Sequence, residues 1–452
     1  MVYLNKYKTF ASSFIFKIDK LINNNLKLVL STFFLITIYS CLLFTRPFVG
    51  VYFFGFRFGE IFILLSFLIT IGILFLIYSD STIFNDKLLL IYKTLILSFF
   101  ILALITNTSL LKPYAFKTSS YIWTASFLFI GSYLLSKSNK LVLKFSVFIL
   151  LLIYLFSTGN YPNFLIDLFY KISDKFQFIK GSEMTIAYIS IVLLNLKLYK
   201  NQKINFTMLV IFGALFFPVL MFASRGAFLG ALFFFIFEIY FRRKFISNNK
   251  LYVFALFVIS VPLFFISALR VDGNIQLNEI VNEQQADINA AVQDVITKKD
   301  ITIAFLGFYV NQHGYLDSFD PTTAWRLDIW QDVFVDMNSK NIILQGYGYK
   351  EIIPVMTDPT APGRLGWDGL NENVHNYFVN IFARGGVIQL LIAMIFHYLL
   401  LIQYKERHGN LRILSFVLPL IFIASLDAAM EGVNFPIVFY SLYGYFIKNG
   451  IE

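Results

Sequence analysis

Long apolar runs recur from one end of this chain to the other, and they set the first constraint on its fold. A helix that spans a bilayer needs about 17–25 mostly apolar residues. Runs of that kind occupy 28–45, 60–78, 88–106, 120–136, 141–157, 183–199, 206–223, 226–241, 250–269, 386–403, 411–428 and 433–447. The expected fold is an all-α integral membrane protein with about twelve transmembrane helices. Composition agrees. Hydrophobic residues make up 58% and charged residues 14%, against about 45–50% and 25% in soluble domains. The 55 Phe and 26 Tyr suit lipid contact and interfacial anchoring. No small-residue cleavage site follows the first run, so it reads as a retained helix.

Lys and Arg in the short loops set the expected orientation. With a cytoplasmic N-terminus, that side receives Lys6, Lys8, Lys17, Lys20, Lys27, Lys137, Lys140, Lys197, Lys200, Lys203, Arg242, Arg243, Lys244, Lys250, Lys405, Arg407 and Arg412. The opposite short loops hold fewer, which places both termini in the cytoplasm. The net charge of +10 is read the same way, and nucleic acid is not expected as a partner. The expected domains are 1–269 with about nine helices, a periplasmic cap over 270–375, and 376–452 with about three helices.

The cap is too long for a mere connector. Segment 276–299 reads as an amphipathic helix with Ile280, Ile288, Ala291, Val292 and Val295 on one face. Segment 323–338 reads as a second, with Trp325, Ile329, Val333 and Met337 at four-residue steps. Gly346, Gly348, Pro354, Pro359, Pro362 and Gly363 then predict irregular loop.

His375 is the leading candidate for chemistry. It lies where the cap meets the membrane, and His is the side chain best suited to take a proton near neutral pH. The competing reading is an interfacial His that only hydrogen-bonds a loop. Arg225 is second: a cation between apolar stretches is costly unless it faces a polar cavity or pairs, although it can also snorkel. Arg326 is third, its alternative being a pair with Asp328 or Asp332. Arg364 and Arg384 are lesser candidates of the same kind. Arginines beside a His suit an anionic substrate and a proton acceptor, because the guanidinium fork matches phosphate. Asp427, close to Glu431 in a late apolar run, is an intramembrane acid of functional or bundle-pairing type, as are Glu183 and Glu60.

His313, His397 and His408 have no partner at metal-ligand spacing, and Asp317 with Asp320 makes only a loose acid pair, so no metal is expected. The single Cys41 allows no internal disulfide and sits in a poor lipid-attachment context. No Walker A or G-x-G-x-x-G run is present, so no nucleotide or other cofactor is expected. Any transfer energy must arrive in the substrate.

Taken together these residues resemble the O-antigen ligase and O-antigen polymerase superfamily. The signature is a His, an Asn after it, and a Gly ten positions beyond the Asn: His375, Asn376 and Gly386 here. Ser224, Arg225 and Gly226 match an S-R-G helix entry, and Arg326, Trp330, Gly346 and Gly348 match an R-x-x-x-W segment with a G-x-G turn. Gln389 departs from the family's Gly, Thr or Tyr. The resemblance covers about 206–403.

It implies a metal-independent, inverting glycosyltransferase of C-type architecture in the inner membrane. The implied donor is a glycan on undecaprenyl diphosphate. The implied acceptor is lipid A–core for a ligase, or another lipid-linked repeat for a polymerase. By the resemblance, His375 is the base, Arg225 and Arg326 hold the diphosphate, and Asn376, Arg364, Arg384 and Asp427 support them. The alternative class is a flippase or transporter, but no pair of Gly/Pro-broken helices occupies matching positions in two halves.

The charge asymmetry generates a direct test. Cysteines placed in 270–375 should react with an impermeant thiol reagent added outside the cell, and cysteines in 242–250 should not. The reverse pattern would overturn the expected orientation.

Overall fold

The computed structural model describes residues 24–451 apart from 76–83, 138–139, 200, 274–306, 313, 362 and 366–370. The expected amphipathic helix over 276–299 and His313 lie outside the described residues. In hydrocarbon an unbonded backbone amide costs several kcal/mol, so apolar segments close their hydrogen bonds within helices. The main helices are α1 (Asn24–Leu43), α2 (Phe58–Phe75), α3 (Asp86–Ile105), α4 (Phe127–Leu134), α5 (Ser146–Ser157), α6 (Gly181–Leu198), α7 (Gln202–Ala223), α8 (Arg225–Phe241), α9 (Lys250–Gly273), α10 (Pro321–Ser339), α11 (Tyr377–His408), α12 (Leu414–Ala424) and α13 (Asn434–Asn449). Helical structure occupies each of the twelve apolar runs in whole or part. Five of these helices, α1, α3, α7, α9 and α11, are long and apolar enough to cross a membrane. The chain is a mostly helical membrane protein. Among the described residues its only sheets are two antiparallel hairpins, Tyr52–Phe53 with Phe56–Arg57 and Phe308–Val310 with Leu316–Ser318.

Two runs depart from expectation. The run over 120–136 is not one helix but alternates α and 3-10 turns: Ser120–Trp123, Thr124–Ser126, α4 and Leu135–Lys137. Its hydroxyls explain the interruption. Thr124 Oγ1 donates to the Ser120 carbonyl at 2.8 Å, and Ser132 Oγ to that of Phe129 at 2.8 Å. Such back-bonding competes with the helical ladder and bends it. The run over 411–428 ends as helix at Ala424, where the Ser425 hydroxyl and amide both reach the Ile421 carbonyl at 2.9 Å. Asp427 therefore stands in a turn and not in a helix.

Small residues let backbones touch inside the bundle. A Cβ on Gly131 of α4 would fall 2.0 Å from the Ser441 carbonyl oxygen, and one on Gly444 of α13 would fall 1.9 Å from that of Leu128. At the end of α8 remote from Arg225, the fully buried Glu238 accepts from Arg242 at 3.2 Å and from Arg412, which precedes α12, at 3.1 Å. This buried group ties α8 to α12.

The other end of the bundle carries a second, smaller core. The helix expected over 323–338 is α10, and its Ile329, Val333 and Met337 are fully buried. They pack with Ile353, Val355, Met356, Val374 and Ala383 of α11.

Cap and bundle are spliced through a break in α11. Gly386 has φ 68° and ψ −173°, which is not helical. The break leaves the carbonyls of Ala383 and Arg384 open to the 343–348 loop. Tyr347 N–H donates to Ala383 O at 2.8 Å, Gly348 N–H to Arg384 O at 3.0 Å, and Val387 N–H to Ile343 O at 2.9 Å. Below the break, Gln389 Oε1 accepts from the Tyr349 hydroxyl at 2.6 Å and from that of Tyr121, while its amide donates to Ser98 Oγ at 2.9 Å. A Cβ at Gly386 would lie 2.2 Å from Leu344 O. Gly386→Ala should therefore strain both φ and the splice, destabilising the protein by about 1–3 kcal/mol or more. Thermal unfolding in detergent measures this.

Candidate functional site

The segment before α11 is held residue by residue. Asn371 N–H donates to Leu365 O at 2.8 Å. Glu372 accepts from Tyr114 at 3.1 Å and Lys117 at 2.9 Å. Val374 O accepts from Trp330 Nε1 at 2.7 Å. Asn376 is the N-cap of α11, its Oδ1 accepting from Phe378 N at 2.9 Å and Val379 N at 3.1 Å. This is the usual capping geometry for Asn.

Between these anchors His375 adopts φ 56°, a left-handed conformation that costs a non-glycine residue about 1–2 kcal/mol. The contortion turns its ring inward. Nε2 meets Asn371 Oδ1 at 3.0 Å, and the ring lies edge-on to Trp325 with centroids 5.2 Å apart. Nδ1 is closed to solvent and has no hydrogen-bond partner. An orphaned buried polar atom costs about 1–3 kcal/mol, so its retention calls for an explanation.

Charge surrounds the ring. Burial is the largest influence on His375 and pulls its pKa below the ordinary 6.5; Arg326, Lys180 and Arg46 lower it further, against Asp427. The imidazole is therefore neutral at neutral pH. Arg326 is mostly buried, its Nε has no partner, and among the described residues it makes no hydrogen bond or ion pair. Asp328 and Asp332, which the sequence offered as partners for Arg326, are taken by Arg364. Burial lowers the Arg326 pKa while Asp427 and Asp320 support the charge.

Asp427 reaches the site from the turn after α12. Its Oδ2 accepts from Ser182 Oγ at 2.6 Å. Burial alone would raise its pKa, but Lys180, the Ser182 bond and Arg326 hold the carboxyl below its usual value. Nearby Glu431 behaves oppositely. Both its oxygens are closed to solvent, and burial, then the Asp427 charge, push its pKa up to about 8 against Arg384 and the Asn376 backbone amide.

Arg225 opens α8 behind the Ser224 N-cap and donates to Asp320 Oδ1 at 3.0 Å. The other oxygen of Asp320 caps α10 through Thr323 N at 2.9 Å. Asp320 thus links Arg225 to the helix that carries Arg326. Arg364 instead binds Val355 O at 3.0 Å within the cap, and Arg384 binds Gly348 O at 3.3 Å and Glu351 O at 2.5 Å within the splice. Asn376, Arg364 and Arg384 are thus engaged in holding the fold. Glu183 accepts from Asn434 at 3.0 Å, and Glu60 lies 3.6 Å from Arg57.

Sequence reading missed Lys180 and Arg46, which count there only as loop charges. Their signal was position: Arg46 directly follows the 28–45 run, and Lys180 lies three residues before the 183–199 run. It also missed Asn371, whose only mark was lying four residues before His375. Among the described residues no group of three or more His, Cys, Asp or Glu is placed to hold a metal ion. The cap carries an apolar cleft of about 440 Å³ lined by Tyr315, Leu316, Trp330 and Phe334 among others, with none of these ionisable groups in it.

Residues 206–394 match the family model described as O-antigen ligase. Over that segment the chain is similar to the O-antigen ligase family. That segment contains Arg225, Arg326 and His375, whereas Arg46, Lys180 and Asp427 come from outside it. The similarity supports a membrane function of the O-antigen ligase or polymerase type. No curated protein matches the chain.

Glu431 gives a sign-specific prediction. Its folded pKa of about 8 stands above the ordinary 4.5, so the unfolded chain loses this proton first as pH rises. Folding stability should decline between those values. Glu431→Gln, which mimics the protonated acid, should melt higher than wild type at pH 8 and equally near pH 4.5. Equal melting at pH 8 would show that Glu431 is not held protonated.

Proposed function

We propose that the protein is an inner-membrane glycosyltransferase of O-antigen ligase type. It moves a glycan from undecaprenyl diphosphate to an acceptor sugar, lipid A–core, at the periplasmic face, with both termini cytoplasmic. The observation that carries this reading is the pairing of an unengaged, mostly buried Arg326 with a neutral His375 that keeps one nitrogen free.

The chemistry follows from these groups. A diphosphate leaving group needs concentrated positive charge as its bond to the anomeric carbon breaks. Arg326 offers a guanidinium fork, and Arg225 joins it by exchanging Asp320 for phosphate oxygen. His375 takes the proton of the acceptor hydroxyl as oxygen attacks the anomeric carbon from the opposite side. The electron pair of the broken bond leaves with the diphosphate, and the anomeric centre inverts. Asp427 stabilises the imidazolium so formed. Because the His375 nitrogen is closed to solvent, the acceptor must open its own way to it.

His375→Ala should retain folding and donor binding yet lose about 10²–10⁴-fold in rate. Arg326→Lys keeps the charge but loses the fork, so its activity should also fall sharply. The assay incubates purified protein with a lipid-linked glycan and either lipid A–core or a second lipid-linked repeat. Transfer to the repeat alone would make the enzyme a polymerase. A fully active His375→Ala protein would remove His375 from the mechanism.

The pH profile adds a further expectation. In the free enzyme the depressed His375 pKa puts the acid limb of kcat/KM below pH 6.5. Bound diphosphate offsets Arg326 and Lys180, so the acid limb of kcat should lie at higher pH than that of kcat/KM. Coincident limbs would argue against diphosphate beside the imidazole.

A further inference from the structure

The two ring nitrogens of His375 are not equivalent, and their surroundings decide which can act. Nε2 lies 3.0 Å from Asn371 Oδ1. An amide side chain can present either oxygen or nitrogen, so its orientation must be set by its other contacts. Here Asn371 Nδ2 donates to the Arg364 carbonyl at 3.3 Å. A carbonyl oxygen can only accept, so the amide nitrogen faces Arg364 and the amide oxygen faces His375. The Asn371 backbone is fixed as well, through its bond to Leu365 O. Arg364 in turn is clamped by Asp328, Asp332 and the Val355 carbonyl. The amide is thus one member of a chain of contacts that begins on α10 and ends on the imidazole.

An amide oxygen has no proton to give. The neutral imidazole must therefore carry its hydrogen on Nε2 to bond it, which leaves the lone pair on Nδ1. Nδ1 is the nitrogen without a partner. We infer that Asn371 is a positioning residue that holds His375 as the Nε2–H tautomer, making Nδ1 the atom that takes the acceptor's proton. This rests on the reading of His375 as base. In the step, the hydroxyl O–H bond breaks as oxygen bonds the anomeric carbon. The proton passes to Nδ1, and the pair from the old glycosidic bond leaves on the diphosphate. Nε2–H stays bonded to Asn371 throughout, so the ring does not turn during transfer.

The test uses full-length protein carrying ¹⁵N-labelled histidine, with the His375 signals identified by their loss in His375→Gln. Wild type should show a protonated Nε2 and an unprotonated Nδ1. Asn371→Leu should lose that preference and fall about 10–100-fold in kcat, with donor KM little changed. Asn371→Asp keeps an acceptor oxygen, so it should keep the tautomer and most of the rate. Its added negative charge should also move the acid limb of kcat/KM to higher pH. Burial sets that limb first, and then Arg326 on α10, Asp427 after α12, Lys180 before α6 and Arg46 after α1, charges the substitution leaves in place.

A wild-type signal from Nδ1–H would overturn the inference. So would an Asn371→Leu protein with an unchanged tautomer and full rate. Should Asn371→Leu fail to fold, the wild-type spectrum and the Asn371→Asp pH profile still decide. An inactive His375→Ala beside a fully active Asn371→Leu would leave the base in place and remove only Asn371. A fully active His375→Ala would remove the base itself, while the spectrum would still report whether Asn371 fixes the ring.

Discussion

A helix cannot bond a foreign stretch of backbone unless some of its own carbonyls are released, and Gly386 supplies that release. The break at this residue lets the 343–348 loop enter α11 as though it were part of the same ladder. Everything above the break depends on it. Trp330 and the cap core are registered against Val374 and Ala383 because the loop cannot slide. His375 stands only two residues before the helix so fixed. Gln389 secures the same joint from below by accepting two tyrosine hydroxyls.

The site then sorts its charges by occupation. Arg364 and Arg384 are committed to carboxylates and carbonyls of the fold, and Arg225 to Asp320. Arg326 has no such commitment among the described residues, although it is mostly buried. Burying a cation without a partner is expensive, and the cost is tolerable where an anion is to be received. The two acids divide in the same manner. Asp427 lies among cations and stays ionised, whereas Glu431 lies beside Asp427 and keeps its proton. Two like carboxylates in one buried place cannot both ionise cheaply.

What the sequence made legible was what depends on composition and period. Apolar length marked each helical run, and the four-residue steps of Ile329, Val333 and Met337 marked the buried face of α10. Arg225 stood out as a candidate because it lies between apolar stretches, His375 because it lies where the cap meets the membrane, and Arg326 as a cap-helix cation; their roles rest on the proposal above. Less accessible was which partners each would find. Asp328 and Asp332 lie nearest Arg326 in sequence, yet the fold gives them to Arg364 from 36 and 32 residues away. Lys180 and Asp427 are 247 positions apart by their numbering, so no local pattern could join them. The interrupted helix over 120–136 escaped for another reason: hydropathy averages cannot see hydroxyls that take carbonyls from their own turn.

The buried Glu238 group has a mechanical meaning as well as an electrostatic one. It pins α8 to α12 at the end where one helix finishes and the other begins. Arg225 and Asp427 ride on the opposite ends of that pair. With 17 residues in α8, the arm from pivot to tip is about 25 Å long at 1.5 Å per residue. A relative tilt of about 2° would then part the two tips by roughly 0.9 Å, a displacement comparable to the 1 Å that can cost a reaction about a hundredfold. The spacing of Arg225 and Asp427 thus depends on a carboxylate at the far end of the bundle.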